Sequence, residues 1–222
     1  MQRLAPTALI AAIAVFAAAA LFGAATLFAA PSASGASGSE APVILTPAGT
    51  WTFTGLSPEE RANVAADIAA AVPAARQVLD LVDGAVAIDP FTNLCVVGDA
   101  CSHPDPSAGR PWTIHLPHGT LDGTVPSQRF IVLHEIGHAV WSLAFRQVDR
   151  DAFATAVAAS LHGRSCVTRM GAPCAPLHEV FADEFARWAG NFDVCMDSYA
   201  TPALLTAGDF TTLVDRALAG RA

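Results

Sequence analysis

Lysine is missing from this chain: all 12 basic residues are arginine, set against 20 acidic ones for a formal net charge of −8. The arginines form no cluster and follow no aromatic run, so the basic face that a nucleic-acid partner requires is lacking. No internal repeat is visible, which argues against a solenoid. The five cysteines include no CxxC pair, so the closely spaced thiolates of a cysteine-ligated structural metal are also lacking. Tyrosine occurs once, at Tyr199. What is abundant is apolar: 53% of 222 residues are hydrophobic and only 14% are charged, enough for one well-packed domain and too little for two.

The apolar residues are concentrated first at the N-terminus. After Arg3 the chain carries no charge until Glu40, and Ala8–Ala30 is its most apolar part. That is an export signal. Its length favours an uncleaved membrane anchor, whereas its alanine content and the small residues Gly23-Ala24-Ala25 favour cleavage by a signal peptidase. Residues 1–30 are therefore read as a signal peptide or an N-terminal membrane anchor. Residues 31–41, PSASGASGSEA, have the composition of a flexible linker, and 42–222 form the folded domain. The expected location is outside the cytoplasm, either secreted or held on the outer face of the cytoplasmic membrane. Cysteines there tend to be oxidised. Cys95 with Cys101 and Cys166 with Cys174 flank short loops and are the preferred disulfide pairs. Cys195 is left over; it is free, pairs between molecules, or displaces one member of a local pair.

Within the domain, VILTP (43–47) and TWTFTG (50–55) read as short strands. Ser57-Pro58-Glu59-Glu60 is a helix start, and the helix runs to about Val82 with a kink or break at Pro73. AVAID (85–89) and PWTIHL (111–116) read as strands, and 127–146, 177–189 and 209–218 as helices. Strands come early and helices late, which is the pattern of an α+β domain.

The chemistry lies in FIVLHEIGHAVWSL, residues 130–143. Its apolar content is that of a core helix, yet burying unpartnered ionisable groups is costly, so His134, Glu135 and His138 need a reason to be there. His134 and His138 are four residues apart and share one helix face, one turn above the other. HEIGH is an instance of HExxH, in which two neutral imidazoles bind zinc and the glutamate acts as base toward a water on the metal. The expected cofactor is one Zn2+ per chain. A catalytic zinc needs a third protein ligand and an open position. The 177–189 helix offers Glu179 and Asp183 at i and i+4. Glu179 is the preferred ligand and Asp183 the carboxylate that orients a ligating histidine, with Asp183 and Glu184 as rival ligands.

HEIGH followed by EVFAD resembles the gluzincin branch of the zincin metallopeptidases, which share HExxH and ExxxD with thermolysin-like and neprilysin-like enzymes. The resemblance implies a small zincin-like domain with an active-site helix, a small mixed sheet and a glutamate-bearing second helix. By position, His134, His138 and Glu179 match its ligands, Glu135 its base and Asp183 the supporting carboxylate. It also implies a preceding edge strand that pairs with a peptide or protein substrate. PWTIHL is one candidate for that strand; the other reading makes it a central strand. Metzincins are excluded, because Trp141 and Ala144 stand where their glycine and third histidine would be.

No residue matches the branch's oxyanion-stabilising group, for which Tyr199, His178 and His162 are the candidates. His103, His115 and His118 are read as surface or substrate-groove residues. The expected function is an exported zinc peptidase, with a non-catalytic zinc-binding module as one rival. The other rival is a zinc amidase resembling peptide deformylase, with Cys95 or Cys101 as third ligand; its QHExxH and EGCLS signatures are absent.

Overall fold

Proline and capping residues set the first boundaries. In the computed structural model, which describes residues 51–90, 100–105, 111–122, 127–166, 176–192 and 203–221, helix α1 (Pro58–Ala69) begins with a capping box. Ser57 accepts from the Glu60 N–H at 3.2 Å and Glu60 accepts from the Ser57 N–H at 2.8 Å, satisfying two donors of the first turn. Pro73 breaks the expected long helix: α2 (Pro73–Asp83) starts on it, since proline suits a helix start and obstructs a helix interior. All described residues belong to one compact unit, Val43–Ala222. The expected strand at 43–47 and the leader, anchor and linker segments lie outside the described residues. Among the described residues no helix is long and apolar enough to cross a membrane.

Among the described residues four short strands, β1 (Thr52–Phe53), β2 (Val86–Pro90), β3 (Cys101–His103) and β4 (Trp112–Leu116), make a mixed sheet of order β1-β2-β4-β3. β1, β2 and β4 run parallel, and β3 pairs antiparallel to β4. The domain is thus α+β with a small mixed sheet. β4, buried throughout, is a central strand, which corrects the edge-strand reading of PWTIHL. Among the described residues the edge beyond β4 is β3, where no strand was expected. Register separates the faces: Ile88, Ile114 and Ser102 lie in one row, and Asp89, His115 and Cys101 in another on the opposite face. The Ser102 hydroxyl donates to the Glu135 carbonyl at 3.2 Å, so the Ile114 face is the one turned toward the helix that bears HEIGH.

That helix, α4 (Gln128–Ala139), follows a single short turn, α3 (His118–Leu121), and continues into a π-helical turn, Val140–Ala144. The end of a helix leaves carbonyls without partners, and two arginines meet them. Arg150 donates to Trp141 and Ser142, and Arg221 to Leu143 and Ala144. Helix α5 (Gln147–Leu161) was not expected from the sequence. Its buried residues, Asp149, Phe153 and Val157, form a stripe only one residue wide, too narrow for a clear period. Helix α6 (Leu177–Gly190) is buried from Val180 to Gly190 and forms the centre of the domain, and α7 (Ala207–Ala219) closes it. Phe181 of α6 packs among Trp141, Phe145, Phe153 and Phe210, with ring centroids 4.8–5.5 Å away.

Candidate metal centre

Helices α4 and α6 meet along the two sequence motifs, and the small residues within those motifs let them approach. A Cβ added at Gly137 would lie 2.9 Å from Ala182 Cα and 3.3 Å from Ala182 Cβ. The second variable position of HEIGH, Gly137, therefore faces the alanine of EVFAD at backbone contact distance. No larger residue fits at Gly137 without separating the helices.

This approach brings His134, His138 and Glu179 together. Both His134 Nε2 and His138 Nε2 stand 3.3 Å from Glu179 Oε2, and the three donor atoms lie within 4.8 Å of one another. The two imidazole rings are nearly perpendicular, with centroids 4.9 Å apart. Behind them, Asp183 Oδ1 is 2.9 Å from His134 Nδ1. An ionised carboxylate only accepts, so Nδ1 carries a proton, and Nε2 is the nitrogen turned toward the cluster, able to ligate an ion in place of its own proton. Two imidazole nitrogens and one carboxylate are the donor set of a catalytic zinc site. Separations of 3.3 Å match the edge of a tetrahedron whose ligand bonds are about 2.0–2.1 Å. The residues present therefore fit a zinc ion.

Electrostatics favour positive charge at the same place. Burial works to lower the His134 imidazole, but hydrogen bonds to Asp183 and Glu179 outweigh it, and the pKa is pushed up to about 10. Hydrogen bonds from His134 and His138 hold Glu179 far below the usual carboxylate range. Glu135 is buried on the adjoining face of α4, and its charge also acts on His134. His178 stands at the exposed side: its Nε2 is 3.4 Å from Glu179 Oε1, and its ring lies 5.7 Å from that of His138.

Other candidates are placed elsewhere. Glu184 is turned away from the cluster, paired with Arg187 and accepting from the Leu204 N–H at 2.7 Å, so it anchors the start of the last segment and is not a ligand. His162 ends α5 in a left-handed conformation, its ring bonded to the Ser160 carbonyl. His118 is exposed and pairs with Glu60. His115 is 2% exposed, which corrects its reading as a surface residue. Cys101 and Cys166 are each disulfide-bonded, which removes Cys101 as a thiolate ligand. Tyr199, Cys95, Cys174 and Cys195 lie outside the described residues.

Comparison of the chain with protein-family models, curated proteins and solved structures returned no match. Sequence reasoning missed two supports of the centre. One is the Gly137–Ala182 contact, hinted at only by small residues inside both motifs. The other is the Ser102 hydrogen bond to the carbonyl of Glu135, for which the sequence offers no signal.

Proposed function

We propose that this chain is an exported, zinc-dependent metallopeptidase with a gluzincin-like centre, secreted or tethered to the membrane by its N-terminal segment. The observation that carries the reading is the convergence of His134, His138 and Glu179 with Asp183 directly behind His134. His134, His138 and Glu179 would hold the ion, and three protein ligands are the number a catalytic zinc takes, where a purely structural one takes four. Zinc bound there supplies Lewis acidity toward a peptide carbonyl and acidifies a water molecule. Glu135 takes the proton from the attacking water and passes it to the leaving amine. Asp183 keeps His134 in the tautomer and orientation that ligation needs. Glu179 is the most exposed of the three ligands, with a side chain 36% accessible, so substrate enters from its side and past His178.

An extended peptide is read best at β3. Among the described residues this strand has one strand neighbour, β4, and Ser102 ties it to the backbone of Glu135. Main-chain pairing along its open edge would lay a peptide beside the general base.

Cleavage of a diverse peptide mixture by the zinc-loaded full chain, read by mass spectrometry, tests the proposal. Glu135→Ala should retain zinc and lose about 10²–10⁴ in rate, and His138→Ala should lose the metal itself. A Glu135→Ala protein as active as the wild type would sink the mechanism.

A further inference from the structure

The face of the sheet turned away from α4 carries a second arrangement of histidines. Asp89 on β2 is the register partner of His115 on β4, and His103 on β3 is diagonal to His115. The Nδ1–H of His115 donates to the Asp89 carboxylate. His103 Nδ1 lies 3.1 Å from the Pro104 carbonyl oxygen. A carbonyl and an ionised carboxylate can only accept, so both rings carry their proton on Nδ1. In the neutral rings both Nε2 atoms are lone pairs, and they face each other 3.0 Å apart, with ring centroids separated by 4.9 Å. Two lone pairs at that distance repel unless a positive charge sits between them. The surroundings favour one: Asp89 lies behind His115, and Asp105 is close enough to act on Asp89 electrostatically.

We propose that His103 Nε2 and His115 Nε2 bind a divalent transition-metal cation of the zinc class, at a second site separate from the HEIGH centre. The support repeats the one at His134, where a carboxylate on Nδ1 orients Nε2 toward the ion. Imidazole suits zinc, copper and nickel and disfavours calcium and magnesium. His115 is buried and fixed, and His103 is half-buried on the edge strand, so solvent completes the coordination from the His103 side. Such a cation would clip β3 to β4 and hold the edge strand whose other face touches Glu135.

Zn2+ is the probe. The full-length chain, stripped of metal and titrated calorimetrically, is compared with His103→Ala, whose folding is checked by circular dichroism. The variant should bind one equivalent fewer than the wild type. In the wild type, imidazole 15N spectra should show the Nε2 signals of His103 and His115 moving together on addition of Zn2+ while both Nδ1 atoms stay protonated. Equal stoichiometry in the two proteins would overturn the proposal. An Nε2–H that persists at saturating Zn2+ would do the same, because the pair would then be bridged by a proton.

Discussion

Gly137→Ala puts the packing account of the metal centre at risk, because two physical effects predict opposite signs. In an exposed helix interior, replacing glycine by alanine stabilises by about 1 kcal/mol. Here the new Cβ would stand 2.9 Å from Ala182 Cα, whereas carbon atoms pack at about 3.5–4.0 Å, so α4 and α6 must separate by at least about 0.6 Å. Overpacking of this kind costs about 1–3 kcal/mol, which exceeds the propensity gain in most of that range and leaves a net loss of about 1 kcal/mol. The functional effect should be larger than the stability effect. The two histidines ride on α4 and Glu179 on α6, so the separation falls directly on the 3.3 Å distances that define the cluster. A displacement approaching 1 Å costs on the order of 10²-fold in rate at a catalytic site, and zinc affinity should fall in the same direction. Zinc affinity measured by competition with a chromogenic chelator, beside urea denaturation of the metal-free protein, reads both quantities. A variant that gains stability and keeps its zinc affinity would refute the claim that this contact holds the centre together.

Asp183→Asn should weaken zinc binding by about 10–100-fold without abolishing it, because His134 loses its orienting carboxylate and keeps its ligating nitrogen; chelator competition reads this too. In the metal-free protein, His134 has a folded pKa of about 10 against 6.5 for the free group, so its contribution to stability is complete below pH 6.5 and is lost as pH rises toward 10. Glu179 is depressed from 4.5, so its contribution is present above that pH and disappears in acid. Denaturation midpoints of the metal-free chain should therefore be highest between these limits, and their alkaline decline should be shallower in Asp183→Asn. Glu184→Ala, which removes the carboxylate of a buried ion pair with Arg187, should cost about 3–5 kcal/mol by urea denaturation while leaving the zinc stoichiometry unchanged.

The residues that set the chemistry were legible because helical spacing is a local property. His134 and His138 share a face whatever surrounds them, and so do Glu179 and Asp183, since 3.6 residues per turn allows nothing else. The boundaries at Ser57 and Pro73 were readable for the same reason: caps and prolines act on their own turn. The α+β class followed from the order of the periodic segments. Helix α5 escaped notice because its burial is a single file of residues among alanines, and β3 because three residues carry no measurable alternation.

By itself, then, the sequence determined which side chains stand together on each helix. Only the tertiary structure decided which faces meet. Asp183 and Glu184 are adjacent in the chain and chemically alike, yet one reaches His134 and the other Arg187, because the crossing of α4 and α6 at Gly137 and Ala182 presents only one side of α6 to the histidines. The tertiary structure likewise decided that PWTIHL is central and that, among the described residues, Cys101–His103 is the edge, and it brought His103 and His115 nitrogen to nitrogen across two strands. Strand order and helix crossing are set by the packing of distant segments against one another, and a one-dimensional pattern does not encode that pairing.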